Sequence, residues 1–283
     1  MKIGMITDCM KKENLDAALE EAHRLNVDGV QIFAVGGEFS PATLTAEKKE
    51  HFKRVLREKG LAVSALCADF GGYGFEREED NADRIARTKA IVDLAREFGA
   101  KAVTTHIGVI PEDKSVPRYA VMLRALTECG LYAKERGVTL AIETGPERAV
   151  VLKAFLEDTK GGVGVNFDPA NFTMVTAQDA VEAVYILKDH IVHTHVKDGR
   201  KLDPNQTPEQ VYHAFAVGGV EALNACEGFA ELPIGEGDVD WPNYISALRE
   251  IGYDGFLTIE REAGENPLED IRGAVKFIRS LIG

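Results

Sequence analysis

Residues 163–168 read VGVNFD, and residues 191–196 read IVHTHV. Side chains on a strand alternate in direction, so each run divides into two faces. In the first, Val163, Val165 and Phe167 lie on one face, and Gly164, Asn166 and Asp168 on the other. In the second, Val192, Thr194 and Val196 oppose His193 and His195, and Lys197 follows at once. Ala177–Lys188, between the two runs, carries the helical period. A strand, a helix and a second strand of the same parity make a parallel βαβ unit.

The unit repeats in both directions. Lys2–Thr7, Gly29–Phe33, Ala62–Cys67, Ala102–Ile107, Val138–Glu143 and Phe256–Glu260 also read as strands. Asn14–Leu25, Ala46–Lys59, Asn81–Phe98, Arg118–Arg136, Trp241–Ile251 and Pro267–Leu281 read as helices, several running into a Gly that supplies the left-handed exit turn. Eight strands alternating with helices over ~250 residues are the count and size of a (β/α)8 (TIM) barrel. An open doubly wound sheet would need a phosphate loop after its first strand, and that strand is followed by Asp8-Cys9-Met10 without GxGxxG. Gly71–Gly74 and Gly161–Gly164 read as turns. With no linker composition in the chain, residues 1–283 are expected to form one barrel domain.

The axis-facing set of such a barrel includes His106, Glu143, Asp168, His193, His195 and Glu260, each near the C-terminal end of its strand. Barrel enzymes build their active sites at that end. Inward carboxylates are costly unless they are ion-paired or bound to a metal. Buried ion pairs with the histidines are the plain reading of any one of them; five consecutive strands favour a site. Glu143, Asp168, His195 and Glu260 offer three carboxylates and one imidazole, a set suited to one divalent ion: Mn2+, Mg2+, Co2+ or Zn2+. An ion that chelates a carbonyl and its neighbouring hydroxyl acidifies the carbon-bound hydrogen between them. A carboxylate can then take that proton and give an enediolate; its return to the next carbon isomerises a sugar, and its return to the opposite face epimerises it. Glu143 and Glu260 are the candidate acid/base pair.

Composition narrows the partners. The formal charge of −13 makes the chain a poor binder of nucleic acid, and no apolar run approaches the ~20 residues that span a bilayer. The start meets Asp8 and Lys11 too early for a secretory signal. Cys9, Cys67, Cys129 and Cys226 are scattered, without a CxxC pair, so a cytoplasmic protein without a disulfide framework is expected.

The runs AIET (141–144), NFDPAN (166–171), HTHVKD (193–198), GEGDVDW (235–241) and TIE (258–260) resemble, in this order, the xylose isomerase-like TIM barrel superfamily, and more narrowly its sugar phosphate isomerase/epimerase branch. The resemblance covers nearly the whole chain. It implies the same barrel, one metal held by Glu143, Asp168, His195 and Glu260, and the two Glu as acid and base. It implies a small-molecule carbohydrate substrate and an isomerase or epimerase acting on a sugar, ketose or sugar phosphate. Inosose and dehydroshikimate dehydratases belong to the same family and begin with the same proton abstraction, so a lyase is the runner-up. The apurinic-site endonuclease is the remote alternative: Asn171 stands where it has a histidine, and no DxH pair follows Asp198. Gln31 stands where many relatives carry Glu, and Gly145-Pro146 also departs from the pattern.

His106, Lys197, Arg200 and Glu236 are the expected substrate contacts. Lys197 would otherwise form a salt bridge with Asp198 or Glu236, and Glu262 is a rival of Glu260. His193 is expected to support the site from one layer deeper. Glu143, Asp168 and His195 fall one β/α unit apart, whereas the step from His195 to Glu260 is more than twice as long. Residues 200–232 are therefore an insert after the seventh strand, expected to cap the pocket or contribute to a homo-oligomer interface, with Lys201 and His213 as further contacts.

Overall fold

The computed structural model describes residues 1–283 apart from the side chains of Val220 and Asn224. Those two fall within the expected insert and lie outside the described residues. Eight parallel strands close a barrel: β1 (Lys2–Ile6), β2 (Gly29–Phe33), β3 (Ala62–Cys67), β4 (Ala102–Thr105), β5 (Thr139–Glu143), β6 (Val163–Phe167), β7 (Ile191–Val196) and β10 (Phe256–Ile259). β1 joins β10 on one side and β2 on the other, which leaves no open edge. This is the (β/α)8 architecture that strand parity predicts. No described helix is long and apolar enough to cross a membrane.

The helices follow their local signals. α1 (Leu15–Arg24) starts where Asn14 Oδ1 accepts the amide of Ala17, and α2 (Ala46–Lys59) ends on Gly60 at φ +67°. α3 (Glu78–Phe98), α4 (Pro117–Glu135) and α5 (Ala149–Asp158) follow β3, β4 and β5. After β6, the one-turn α6 (Pro169–Asn171) runs into a π-helical turn, Phe172–Thr176. Ala177 then takes a left-handed φ of +53°, so α7 (Ala180–Leu187) begins later than the sequence period suggests, capped by Asp179. The outward strand residues, such as Val103, Leu140, Ile142, Val165 and Phe167, are fully buried against the helices. Inside, Ala65, Ala102 and Ala141 form a small apolar layer below the polar end.

Residues 198–232 have a structure of their own. β8 (Asp198–Lys201) and β9 (Phe229–Leu232) form an antiparallel hairpin spanned by α8 (Pro208–Asn224). α8 opens with a capping box between Thr207 and Gln210, and its helical path breaks at Gly219, whose φ of +64° suits glycine. α9 (Trp241–Glu250) and α10 (Pro267–Ile282) complete the outer ring.

Candidate active site

Strand register brings the polar residues to one end of the barrel. Glu143 on β5 lies opposite Asn166 on β6, and His195 on β7 opposite Thr258 on β10. The register shifts between Val30 and Gln31 and between Val165 and Asn166, both beside the site. Such irregularities re-aim side chains.

Glu143, Asp168, His195 and Glu260 are all buried, and one donor atom from each lies within 4.8 Å of the others. Their separation in the chain is closed by the barrel alone. His195 Nδ1 lies 3.3 Å from Glu143 Oε1 and 2.9 Å from Glu260 Oε2, the latter a charge contact not aligned as a hydrogen bond. Its Nε2 lies 3.1 Å from Gln31 Oε1. Donation of Nε2–H to Gln31 fixes the ring with Nδ1, which bears a proton here, turned to the carboxylates; a bound ion would take that proton's place.

Asp168 Oδ1 accepts the amides of Ala170 (2.8 Å) and Asn171 (3.3 Å), while its buried Oδ2 has no partner. Thr144 Oγ1 grips the same residue, accepting from Asp168 N at 2.8 Å and donating to Asp168 O at 3.0 Å. An orphaned carboxylate oxygen at full burial is costly unless a cation satisfies it. The donor set and this orphan fit a divalent ion.

The charges tell the same story. Burial pushes the Asp168 carboxyl up to about 7 against the pull of Lys197, and Glu260 and Glu143 add to the rise. Burial alone would strip His195 of its proton, but Glu143 and Glu260 outweigh it and hold the imidazole well above its ordinary range. Burial also raises Glu260, yet Lys197 and then His195 bring it well below the usual carboxylate range. Three carboxylates around one imidazole attract positive charge.

A supporting relay lies one layer deeper. Burial holds His193 well below its ordinary pKa and hence neutral. Asn166 Nδ2 reaches Glu143 Oε2 at 3.3 Å, which turns its Oδ1 to His193 Nδ1 at 2.7 Å. His193 must then donate from Nδ1 and accept from Thr258 Oγ1 at Nε2, 3.0 Å away. The sequence expectation of a supporting role for His193 matches this arrangement.

His106 reaches the cluster, with Nε2 3.6 Å from Glu143 Oε1 and Nδ1 2.8 Å from Asp69 Oδ2. Against burial, Glu143 and Asp69 raise its pKa to about 10. Lys197 lies 2.9 Å from Glu262 and 3.5 Å from Glu260; its salt-bridge partners are these, neither Asp198 nor Glu236. Glu262 is thereby the lysine's partner and stands outside the four-residue cluster.

Arg200 and Glu236 are not brought to the site. Arg200, on β8, points away to Asp238 at 2.7 Å and to the carbonyl of Glu236 at 3.3 Å, and neither residue lines the cavity. Parity could not foresee this, because β8 belongs to the hairpin and leaves the barrel register. Lys201 Nζ bonds the carbonyls of Val175 and Gln206, and His213 faces Tyr73 at 6.3 Å between ring centres.

The cluster opens into a cavity of about 290 Å3, walled on another side by Val211, Tyr212, Phe215 and Leu223 of α8 and Phe229 of β9. Sequence reasoning placed Asn166 on the inward face without a role and gave none to Asp69 or Glu231. Asn166 carried a usable signal, an inward amide two residues before Asp168.

A family model described as the xylose isomerase-like TIM barrel matches residues 19–281. The chain belongs to that family. A xylose isomerase domain protein from Planctomyces limnophilus is 29% identical in structural alignment, covering 99% of this chain and 96% of that one, with a TM-score of 0.80. A D-tagatose 3-epimerase-like protein (20% identity, all of both chains, TM-score 0.72) shares the fold. So does the probable 3-DHS dehydratase AsbF from Bacillus anthracis (17% identity, 99% of both chains, TM-score 0.77).

Proposed function

We propose that this protein is a divalent-metal-dependent isomerase or epimerase that moves a proton on a sugar, ketose or sugar phosphate through an enediolate. The observation that carries the reading is the convergence of Glu143, Asp168, His195 and Glu260 around an unpartnered buried oxygen of Asp168. These four would hold the ion, Mn2+, Mg2+, Co2+ or Zn2+. When bound, it supplies Lewis acidity to a substrate carbonyl oxygen.

The chain supplies the rest. Glu143 and Glu260 approach His195 Nδ1 at 3.3 and 2.9 Å, two carboxylates at one centre, as an acid/base pair requires. Asn166, set by His193, orients Glu143. His106, oriented by Asp69, and Lys197, held by Glu262, offer donors to substrate oxygens. Residues 198–232 cap the pocket and exclude water, which strengthens each of these interactions. Four free cysteines, three of them buried, suit a reducing cytoplasm.

The test is elemental analysis of the purified protein and its Asp168→Asn variant, followed by solvent-deuterium exchange from a panel of ketoses. About one ion per chain, lost in the variant, with carbon-bound deuterium incorporation, supports the reading. Metal with loss of water from the substrate assigns the dehydratase instead. No metal after reconstitution with each ion refutes both.

A further inference from the structure

In (β/α)8 barrels a phosphate is frequently held by backbone amides of the loops after the seventh and eighth barrel strands and by a helix N-terminus. Here five amides of those loops are already taken by the chain's own carboxylates. After β7, Asp198 accepts from the amides of Gly199 (2.8 Å), Gly235 (2.8 Å) and Val239 (3.2 Å), and from the Trp241 indole (2.8 Å). After β10, Glu231 Oε1 accepts from the amides of Glu262 (3.0 Å) and Ala263 (3.3 Å).

The side-chain cations are engaged as well. Arg261 is clamped between Glu231 (2.8 Å) and Asp270 (2.9 Å), and Lys197 lies between Glu262 and Glu260. Among the described residues no arginine lines the cavity, whereas Asp69, Glu143, Glu231, Glu260 and Glu262 do. Much of the remaining wall is apolar, with Val211, Phe215, Leu223, Phe229 and Met174.

We propose that this cavity takes an uncharged polyhydroxy carbonyl compound and rejects the phosphorylated or carboxylated form of the same molecule. The inference rests on the reading above that a carbonyl sugar is the substrate, and selects among its substrates. An anionic substituent would meet carboxylates whose cationic neighbours, His106 and Lys197, are already paired with Asp69 and Glu143 and with Glu262 and Glu260, and like-charge juxtaposition is strongly disfavoured. The C–H face of a neutral sugar or keto-polyol instead finds the apolar wall.

Two readouts test this. On the Mn2+-loaded full chain, deuterium exchange from D-fructose is compared with that from D-fructose 6-phosphate, and each further ketose that exchanges is compared with its phosphate. The neutral member should have a kcat/KM roughly 100-fold higher or more. Separately, the metal-free full chain is titrated with inorganic phosphate by calorimetry. No binding is expected up to about 10 mM, while Glu231→Ala, which frees two amides and the Nη1 side of Arg261, should gain it. Phosphate binding by the unaltered protein, or equal turnover of a phosphorylated ketose, overturns the inference and leaves the metal-dependent reaction standing. A folded Glu231→Ala protein that still ignores phosphate overturns the assignment of Glu231 as the blocking group. Absence of exchange from every ketose refutes the isomerase reading, and the phosphate titration still decides the charge preference.

Discussion

Replacing Glu147 by Gln should stabilise this protein, by an amount that grows with pH. Glu147 follows β5 by four residues, is 5% exposed, and neither carboxylate oxygen meets a hydrogen-bond donor of another residue. Burial raises its pKa from 4.5 to about 8; only its own amide and the charge of His106 pull the other way. The folded state therefore keeps a proton that the unfolded chain releases. Below the unfolded value both states are protonated and pH has no effect through this group. Between about pH 5 and 8 the folded state binds more protons, so stability falls as pH rises, by up to ~1.4 kcal/mol per unit. At pH 7 the loss amounts to about 3 kcal/mol, and above the folded value it levels off. Gln carries no charge and escapes this loss. Urea unfolding of both proteins at pH 5, 6, 7 and 8 gives the comparison. The two should agree within about 1 kcal/mol at pH 5, where an amide replaces a neutral acid, and diverge steadily in favour of Gln above it. Parallel curves across that range would refute the argument and mean that the carboxylate is solvated or paired in solution.

Asp198→Ala should cost about 3 kcal/mol or more, because three backbone amides and the Trp241 indole lose one buried acceptor. The fluorescence of Trp241, the only tryptophan, should shift in the folded variant, and unfolding curves give the cost. Thr144→Val should lower stability by ~1–3 kcal/mol and metal affinity roughly 10- to 100-fold, since Thr144 holds the backbone on both sides of Asp168; calorimetric titration with Mn2+ reads the second effect. Gly162→Ala should destabilise by about 3 kcal/mol or more in thermal melts, its new Cβ falling 1.9 Å from the Gly130 carbonyl at a φ of +82°.

Much of the site was legible because a strand has a period of two. Parity alone put Glu143, Asp168, His195 and Glu260 on one side of their strands, and the barrel turned that side into one place. Gln31 was read as a departure from the family pattern, yet it fixes the orientation of His195. Pattern gave no hold on that pairing, since the two residues sit on strands separated in the barrel by β1 and β10. Asp69 escaped notice because the run beside it, Gly71–Gly74, read only as a turn, while its carboxylate orients His106.

The sequence by itself determined the alternation of strands and helices, the side of each strand that faces the axis, and the four residues suited to a metal. These are local properties, set by side-chain period and turn chemistry within a few residues. Only the tertiary structure decided which charges pair. It gave Lys197 to Glu262, turned Arg200 outward to Asp238, filled the phosphate-competent amides with Asp198 and Glu231, and laid α8 over the cavity. Those outcomes depend on barrel register and on a hairpin that leaves it, so residues far apart in the chain meet at distances of a few ångströms that no local pattern encodes.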